Sequence, residues 1–464
     1  MSDAETQIRE KMLAAGMDET AIRAFLFQYN KLTQADAGLI PEASLEAVAD
    51  LPSLENRQVA AAVETYVSQT AVMKLNGGLG TGMGLEKAKS LLRVRGELTF
   101  LDIIVRQFLR LRSELSPQLG LFVMNSFSTS EDTLAALGRY PELGDPRHLE
   151  LLQNRVPKIG VPSLLPVQWP QNPQLEWCPP GHGDLYTAMA GHGLLKALRE
   201  RGTQFLFVSN SDNLGATLDL RLLSYFAESG LPFLMEVTRR TAVDRKGGHL
   251  ARRKTDGQLV LRESAQCPEE DMEAFQDTDR HRFFNTNNLW VRLDVLDRVL
   301  AEGDGILPLP LIRNEKTVDP RDKETPKAYQ LETAMGAAIG CFEAAGAIEV
   351  PRSRFAPVKT TSDLLAVRSD AYRLNDASSL ELIPERAGKP PVIKLSDGYK
   401  LVDAFETLVA EGVPSVAECE ELIVEGPVRF AAGVKFHGKV AVRNGSKGTQ
   451  VVGPGTYTNQ ELVW

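Results

Sequence analysis

The segment from Lys74 to Ser90, "KLNGGLGTGMGLEKAKS", places five glycines and three lysines directly after the apolar residues "AVM". Glycine lets backbone N–H groups converge on an anion without side-chain interference, so bare backbone beside lysine points to phosphate. Neither familiar phosphate loop fits. A Walker loop needs a glycine, four residues and then Gly-Lys-Ser/Thr, but Met83 and Ala88 stand where its glycines should precede Lys89 and Ser90. No G-x-G-x-x-G register exists, which excludes the dinucleotide fingerprint.

Three further stretches carry candidate chemistry. "NSDNLG", Asn210 to Gly215, follows the apolar run "QFLFVS". Asp212 there is a hard oxygen ligand of the kind magnesium takes when it also binds substrate phosphates, although an isolated Asp in "SDN" also reads as a turn or cap residue. "CPPGHGDLYTA" brings Gly181, His182 and Gly183 to the start of a helix, where free N–H donors can meet a ligand; the plainer reading has Asp184 capping that helix. "FNTNNLW", Phe284 to Trp290, mixes carboxamides with aromatics and is expected at a strand end like the others. No G-x-S-x-G elbow or Ser-His-Asp arrangement is present, so nothing indicates a nucleophile with its base.

Positioning these groups requires strands and helices in alternation. "AVMKL", "LGLFVMN", "QFLFVSN" and "PFLMEVT" are short apolar runs, and between them lie helical patterns such as "FLDIIVRQFLRLRSEL" and "LYTAMAGHGLLKALRE". That alternation predicts an α/β domain with a largely parallel sheet and a site past the carboxyl ends of its strands. Before it, apolar residues at three- and four-residue steps (Ile8, Met12, Leu13; Ile22, Phe25, Leu26, Tyr29) predict helices. After it, "ERAGKPPVIKLSDGYK" reads as irregular, and the glycine-punctuated tail predicts a small β domain, either a few coils of β-helix or a meander. The expected division is an N-terminal helical segment over 1–45, a catalytic α/β domain over 46–375 and a C-terminal domain over 376–464.

With 464 residues the chain can bury a large core. Its net charge of −9 argues against a general nucleic-acid binder, while leaving room for a local basic pocket. No apolar run reaches the roughly 18 residues of a membrane span. The charged N-terminus lacks the pattern of a signal peptide, so a cytoplasmic protein is expected. Cys178, Cys267, Cys341 and Cys419 form no C-x-x-C pair, which predicts buried thiols rather than disulfides or zinc.

Taken in order, "LNGGLGTGMG" with Lys89 beyond it, "LQNRVPKI", "PPGHGDLY", "VSNSDNLG", "MEVTRRTAVDRKGGHL", "FNTNNLW", "QLETAMGAAI" and "VPRSRFAPVKTTSDLL" resemble the eukaryotic-type UTP–glucose-1-phosphate uridylyltransferases. The resemblance spans about Ala71 to Tyr372. It implies a Rossmann-like nucleotidyltransferase (GT-A-like) core with a mixed sheet, N-terminal helices and a small left-handed β-helix-like C-terminal domain. It also implies UTP and glucose 1-phosphate as substrates and Mg2+ as cofactor.

Carried over residue by residue, the resemblance gives the backbone of Leu75, Asn76, Gly77 and Gly78 to the uridine side and Lys89 to the phosphates. Gln153 would read the uracil edge, Gly181 would close over the base, and Asp212 would hold magnesium near the nucleotide. Lys359 would bridge phosphates, His182 and Asn210 would face the sugar phosphate, and Glu236, Gly248, Asn285 and Asn287 would line the sugar pocket. The chain departs from the pattern at Gly82, where many relatives have Ser, in "LEKAKS" before Lys89, and at Glu315, where proline is usual. A tail after Val424 shorter than in oligomer-forming members implies a monomer or dimer. Rival readings are a UDP-sugar or UDP-N-acetylhexosamine pyrophosphorylase, whose members carry arginine where this chain has Gly82, and an inactive sugar-nucleotide-binding protein.

Overall fold

In a computed structural model, residues 2–34, 38–241 and 244–464 are described; the intervening stretches, within the N-terminal segment and within "RTAVDRK", lie outside the described residues. The N-terminal helices are α1 (Asp3–Ala14) and α2 (Glu19–Thr33), each opened by a side-chain cap, Ser2 and Asp18. Their apolar stripes, including Ile8, Met12, Ile22, Phe25 and Tyr29, pack in one cluster with Val156, Leu311 and Leu331.

The four apolar runs form strands β1 (Thr70–Leu75), β2 (Gly120–Asn125), β4 (Phe205–Asn210) and β5 (Phe233–Arg239), and the short β3 (Glu150–Leu152) joins them. Strand β6 (His249–Arg253), strand β7 (Phe283–Arg292) and strand β8 (Gly346–Glu349) complete the framework of a ten-stranded sheet. Its centre runs β3-β2-β1-β4-β7-β5-β8. Pairing is parallel from β3 to β4, as expected for strands buried on both faces. The largely parallel expectation fails beyond β4. Strand β7 is antiparallel to both β4 and β5, which makes the sheet mixed.

"FNTNNLW" therefore lies inside a ten-residue strand and not at a strand end. Its carboxamides are tolerated there because the sheet interior supplies partners: Thr286 donates to the Glu236 carbonyl, and Asn288 to the Glu236 carboxylate. A register shift between Glu236 and Val237 and a left-handed Asn287 (φ 58°) mark the place where the ladder adapts. The other departure is the long helical pattern after Gly183, which forms α3 (Asp184–Gly191) and α4 (Leu194–Glu200) separated by left-handed Gly193.

From Val392 onward every strand pairing is parallel, from Val392–Leu395 through Cys419–Glu425 and Val434–Arg443 to Glu461–Val463. Coils of β-helix are the outcome and a meander, which needs antiparallel neighbours, is excluded. This region's core is continuous with the Gly-rich segment: Met83, Leu92 and Val94 share one cluster with Leu365, Tyr399, Val424 and Phe430. All four cysteines are free. Among the described residues no helix is long and apolar enough to cross a membrane.

Beneath the strand ends, Glu236 is wholly buried, and its carboxylate accepts from Arg354 Nε and Nη2 (2.6 and 2.8 Å), Asn288 Nδ2 (3.1 Å) and Trp290 Nε1 (2.9 Å). Breaking such a pair strands a charge in the core. Arg354→Met is expected to destabilise the fold by about 3–5 kcal/mol, with recovery in a Glu236→Met/Arg354→Met double variant. Chemical denaturation checks this; an unchanged midpoint in Arg354→Met would show the pair to be dispensable.

Candidate active site

Strands β1 and β4 lie side by side, with Leu75 opposite Asn210, and the chain leaves both at the same edge. Past β1, Asn76 is buried and braces three strand ends: its backbone N–H donates to the Met124 carbonyl, its Nδ2 to Asn125 and Thr133, and its Oδ1 accepts from Ser211. Its side chain and its N–H are thus both structural. At Gly77 a Cβ would lie 2.9 Å from Gln153 Oε1, so glycine is what allows the loop to pass Gln153. The loop then returns, and the N–H of Lys89 donates to the Gly78 carbonyl (3.2 Å).

Lys89 Nζ reaches across to Asp212 Oδ2 at 2.7 Å, both side chains partly screened from solvent. Asp212 is held from a second side by the segment that carries Lys359, because the Val358 N–H donates to the Asp212 carbonyl (3.2 Å) and Asn213 bridges Pro357. Lys359 is exposed, just before the helix Thr361–Arg368, and its own N–H is taken by Asp363. The loop of Asp212 is clamped from below as well. Buried Lys74 donates to Ser209 Oγ and the Ala216 carbonyl, both at 2.7 Å, and Arg354 Nη2 donates to the Thr217 carbonyl. Burial lowers the Lys74 pKa to about 7, so this anchor stands at the margin of being charged.

On the opposite wall, Gln153 Nε2 donates to the Gly181 carbonyl at 2.7 Å. Gly181 is left-handed (φ 80°), and a Cβ there would meet the Thr333 carbonyl at 2.4 Å. His182 Nδ1 accepts the Met335 N–H (2.9 Å), and burial pulls the His182 pKa down to about 4. The imidazole is therefore neutral with its proton on Nε2, a donor that does not titrate near neutral pH. Asp184 does not cap α3; it turns to Asn154, taking the backbone N–H (2.8 Å) and Nδ2 (3.0 Å).

Among the residues expected at the sugar, Asn285 and Asn287 are linked (Nδ2 to Oδ1, 2.9 Å), and the Asn285 N–H donates to the Gly248 carbonyl (3.4 Å). Asn210 stands partly exposed at the end of β4. Glu236 does not join them: its carboxylate is committed to Arg354, Asn288 and Trp290 in the core, so the expectation that it lines the pocket is withdrawn. The carboxylate that does approach Gly248 is Glu263, whose Oε2 lies 2.5 Å from where a Cβ on Gly248 would sit. Burial raises its pKa while nearby Lys359 pulls it down, which puts Glu263 and Lys359 in one electrostatic neighbourhood.

Among the described residues no group of three or more His, Cys, Asp or Glu could cage a metal. A lone partly exposed carboxylate beside a phosphate-type loop still fits magnesium, which takes one or two carboxylates plus substrate phosphates and waters.

Amides and lysines suited to phosphates, one carboxylate suited to a divalent ion and, among the described residues, no activated side-chain nucleophile suit transfer of a nucleotidyl group, and the architecture is that of the Rossmann-like nucleotidyltransferases. A family model for UTP–glucose-1-phosphate uridylyltransferase matches residues 20–437. The chain belongs to that family. It is 42% identical over 377 residues to the Saccharomyces cerevisiae uridylyltransferase, covering 81% of this chain and 74% of the relative. The Solanum tuberosum enzyme is 39% identical over 412 residues, 88% of this chain and 82% of its own. A mutant UDP-glucose pyrophosphorylase of Leishmania major, solved in complex with UDP-glucose, is 48% identical and superposes with a TM-score of 0.95 over 100% of both chains. The Trypanosoma brucei UDP-glucose phosphorylase gives 47% identity and a TM-score of 0.91, again over 100% of both.

Proposed function

We propose that this protein joins UTP and glucose 1-phosphate to give UDP-glucose and pyrophosphate. The observation that carries the reading is the meeting of Lys89, Asp212 and the Lys359 segment at the edge where β1 and β4 end. A phosphate oxygen of glucose 1-phosphate forms a bond to the α-phosphorus of UTP as the bond to the pyrophosphate oxygen breaks in line with it. That phosphate is already ionised, so no side chain has to remove a proton. Repulsion between two anions is the obstacle, and local cations lower it.

In this reading Lys89 leaves Asp212 for the phosphates, Lys359 engages them from the opposite side, and the Asp212 carboxylate becomes free to help hold Mg2+. The ion supplies charge neutralisation at the reacting phosphate when bound. The backbone of Leu75 to Gly78 supports the nucleotide, Gln153 and Gly181 meet uracil, and His182 and Asn210 approach the sugar phosphate. Gly248, Asn285 and Asn287 line the sugar pocket, with Glu263 added to them. The neutral imidazole of His182 donates through Nε2, which suits an anionic oxygen.

A coupled assay of pyrophosphate release with UTP, magnesium and glucose 1-phosphate tests the reading. Turnover with glucose 1-phosphate well above that with N-acetylglucosamine 1-phosphate is expected. The reverse order would move the protein to the rival sugar class, and no release with either would remove the enzymatic reading.

A further inference from the structure

Asp184 has a carboxylate that the reaction does not use. It stands at the first position of α3 and is 6% exposed. An acidic residue there ordinarily bonds its own helix N-terminus or pairs with a cation. Asp184 does neither. The helix has no side-chain cap bond, and among the described residues no lysine or arginine pairs with the carboxylate. Burial pushes its pKa up to about 6, and the carboxylate of Asp18 adds to the rise. Such a carboxylate is costly to keep, and it accepts from the two donors of Asn154.

Asn154 follows Gln153 directly and is itself 4% exposed. Gln153 is attached at three points: its N–H donates to the Asn125 carbonyl (2.7 Å), its Nε2 to the Gly181 carbonyl (2.7 Å), and its Oε1 lies against Gly77. Asp184 follows Gly181 by three residues, and the turn between them is pinned by the Gly183 N–H donating to the Thr333 carbonyl (2.9 Å). Asn154 to Asp184 and Gln153 to Gly181 are thus two rungs between the same pair of loops. A single rung lets the loops pivot; two fix both the spacing and the angle at which the Gln153 carboxamide is presented.

We propose that Asp184 is a positioning residue for base selection, locking the Gln153–Asn154 loop to the Gly181–Gly183 turn so that the carboxamide meets a pyrimidine edge in one orientation. This rests on the assignment of Gln153 to the uracil edge. A carboxamide held in one orientation discriminates between bases because the wrong base leaves buried polar groups unpaired, and a loosened one loses that discrimination.

The test compares Asp184→Ala, Asp184→Asn and wild type, measuring UTP and CTP dissociation constants by calorimetry without sugar phosphate, and steady-state constants with it. Asp184→Ala should raise the KM for UTP about tenfold, leave kcat within about twofold, and reduce the UTP-over-CTP preference about tenfold. Asp184→Asn should restore most of this. Its Oδ1 can accept the Asn154 backbone N–H, and the Asn154 amide can turn over to accept from its Nδ2, so both rungs survive without the charge. A role in charge alone would leave Asp184→Asn as impaired as Asp184→Ala, and that result overturns the proposal. So does an unchanged UTP-over-CTP ratio in Asp184→Ala. If Asp184→Ala does not fold, Asn154→Ala removes one donor only and should raise the UTP dissociation constant about threefold; no change would again overturn it. Absence of sugar-nucleotide formation by wild type would strike the proposed reaction, whereas the calorimetric ratio still decides the role of Asp184.

Discussion

Asp212→Ala is expected to lower turnover about a hundredfold or more at saturating substrates, the usual scale for losing one charge-stabilising group, and chelation of divalent ions is expected to silence the wild type in the same assay. The geometry makes the prediction sharper than a simple loss. Without substrate, Asp212 neutralises Lys89 at 2.7 Å, so removing the carboxylate also frees the lysine. UTP measured in the absence of divalent ions should therefore bind Asp212→Ala at least as tightly as wild type, while kcat collapses. Unchanged turnover in the variant at limiting magnesium would remove the metal assignment. Weaker metal-free UTP binding would show that Lys89 does not transfer to the phosphates.

Lys89→Ala and Lys359→Ala form the second prediction, each lowering kcat/KM about a hundredfold with every nucleoside triphosphate offered. In the proposed reaction both lysines act on phosphates, which all the nucleotides share, and their contribution would grow as charge shifts toward the departing pyrophosphate. Gln153→Ala should instead lower UTP use far more than CTP use, narrowing the preference between them. The measurement is the ratio of specificity constants in each variant. A ratio that narrows in Lys89→Ala and survives in Gln153→Ala would invert the assignment of phosphate and base roles.

The strands that carry the site were legible because they are buried on both faces and read as mainly apolar runs; β1 shows this in "TAVMKL", all of it buried. Strand β7 was not legible. Its Asn and Thr residues look like loop, and only the neighbouring strand, with the Glu236 carbonyl and carboxylate to accept from Thr286 and Asn288, makes them compatible with a sheet interior. The same gap explains why Glu236 is expected in the pocket and Glu263 is not. Glu236 lies in a recognisable motif but turns inward to Arg354, whereas Glu263 sits in an unremarkable stretch and reaches Gly248 through the hairpin that pairs His249 with Arg262. Register across a hairpin is a pairing fact, and composition along the chain does not contain it. The break at Gly193 was hidden for a related reason, since one left-handed glycine interrupts a helix without disturbing its apolar spacing.

The cluster that joins Met83 and Leu92 to Val424 and Phe430 bears on how portable the Gly-rich loop is. Its glycines are contiguous in the chain and look like a cassette, yet part of the wall behind them is encoded more than 300 residues later. Leu401, from that distant region, lies where a Cβ on Gly84 would be 3.1 Å from its Cδ2. Transplanting "NGGLGTGMG" into a foreign sheet would carry over the permissive backbone without the support that limits its wandering. As an engineering unit the loop is therefore discontinuous: the signature and its scaffold must be moved together.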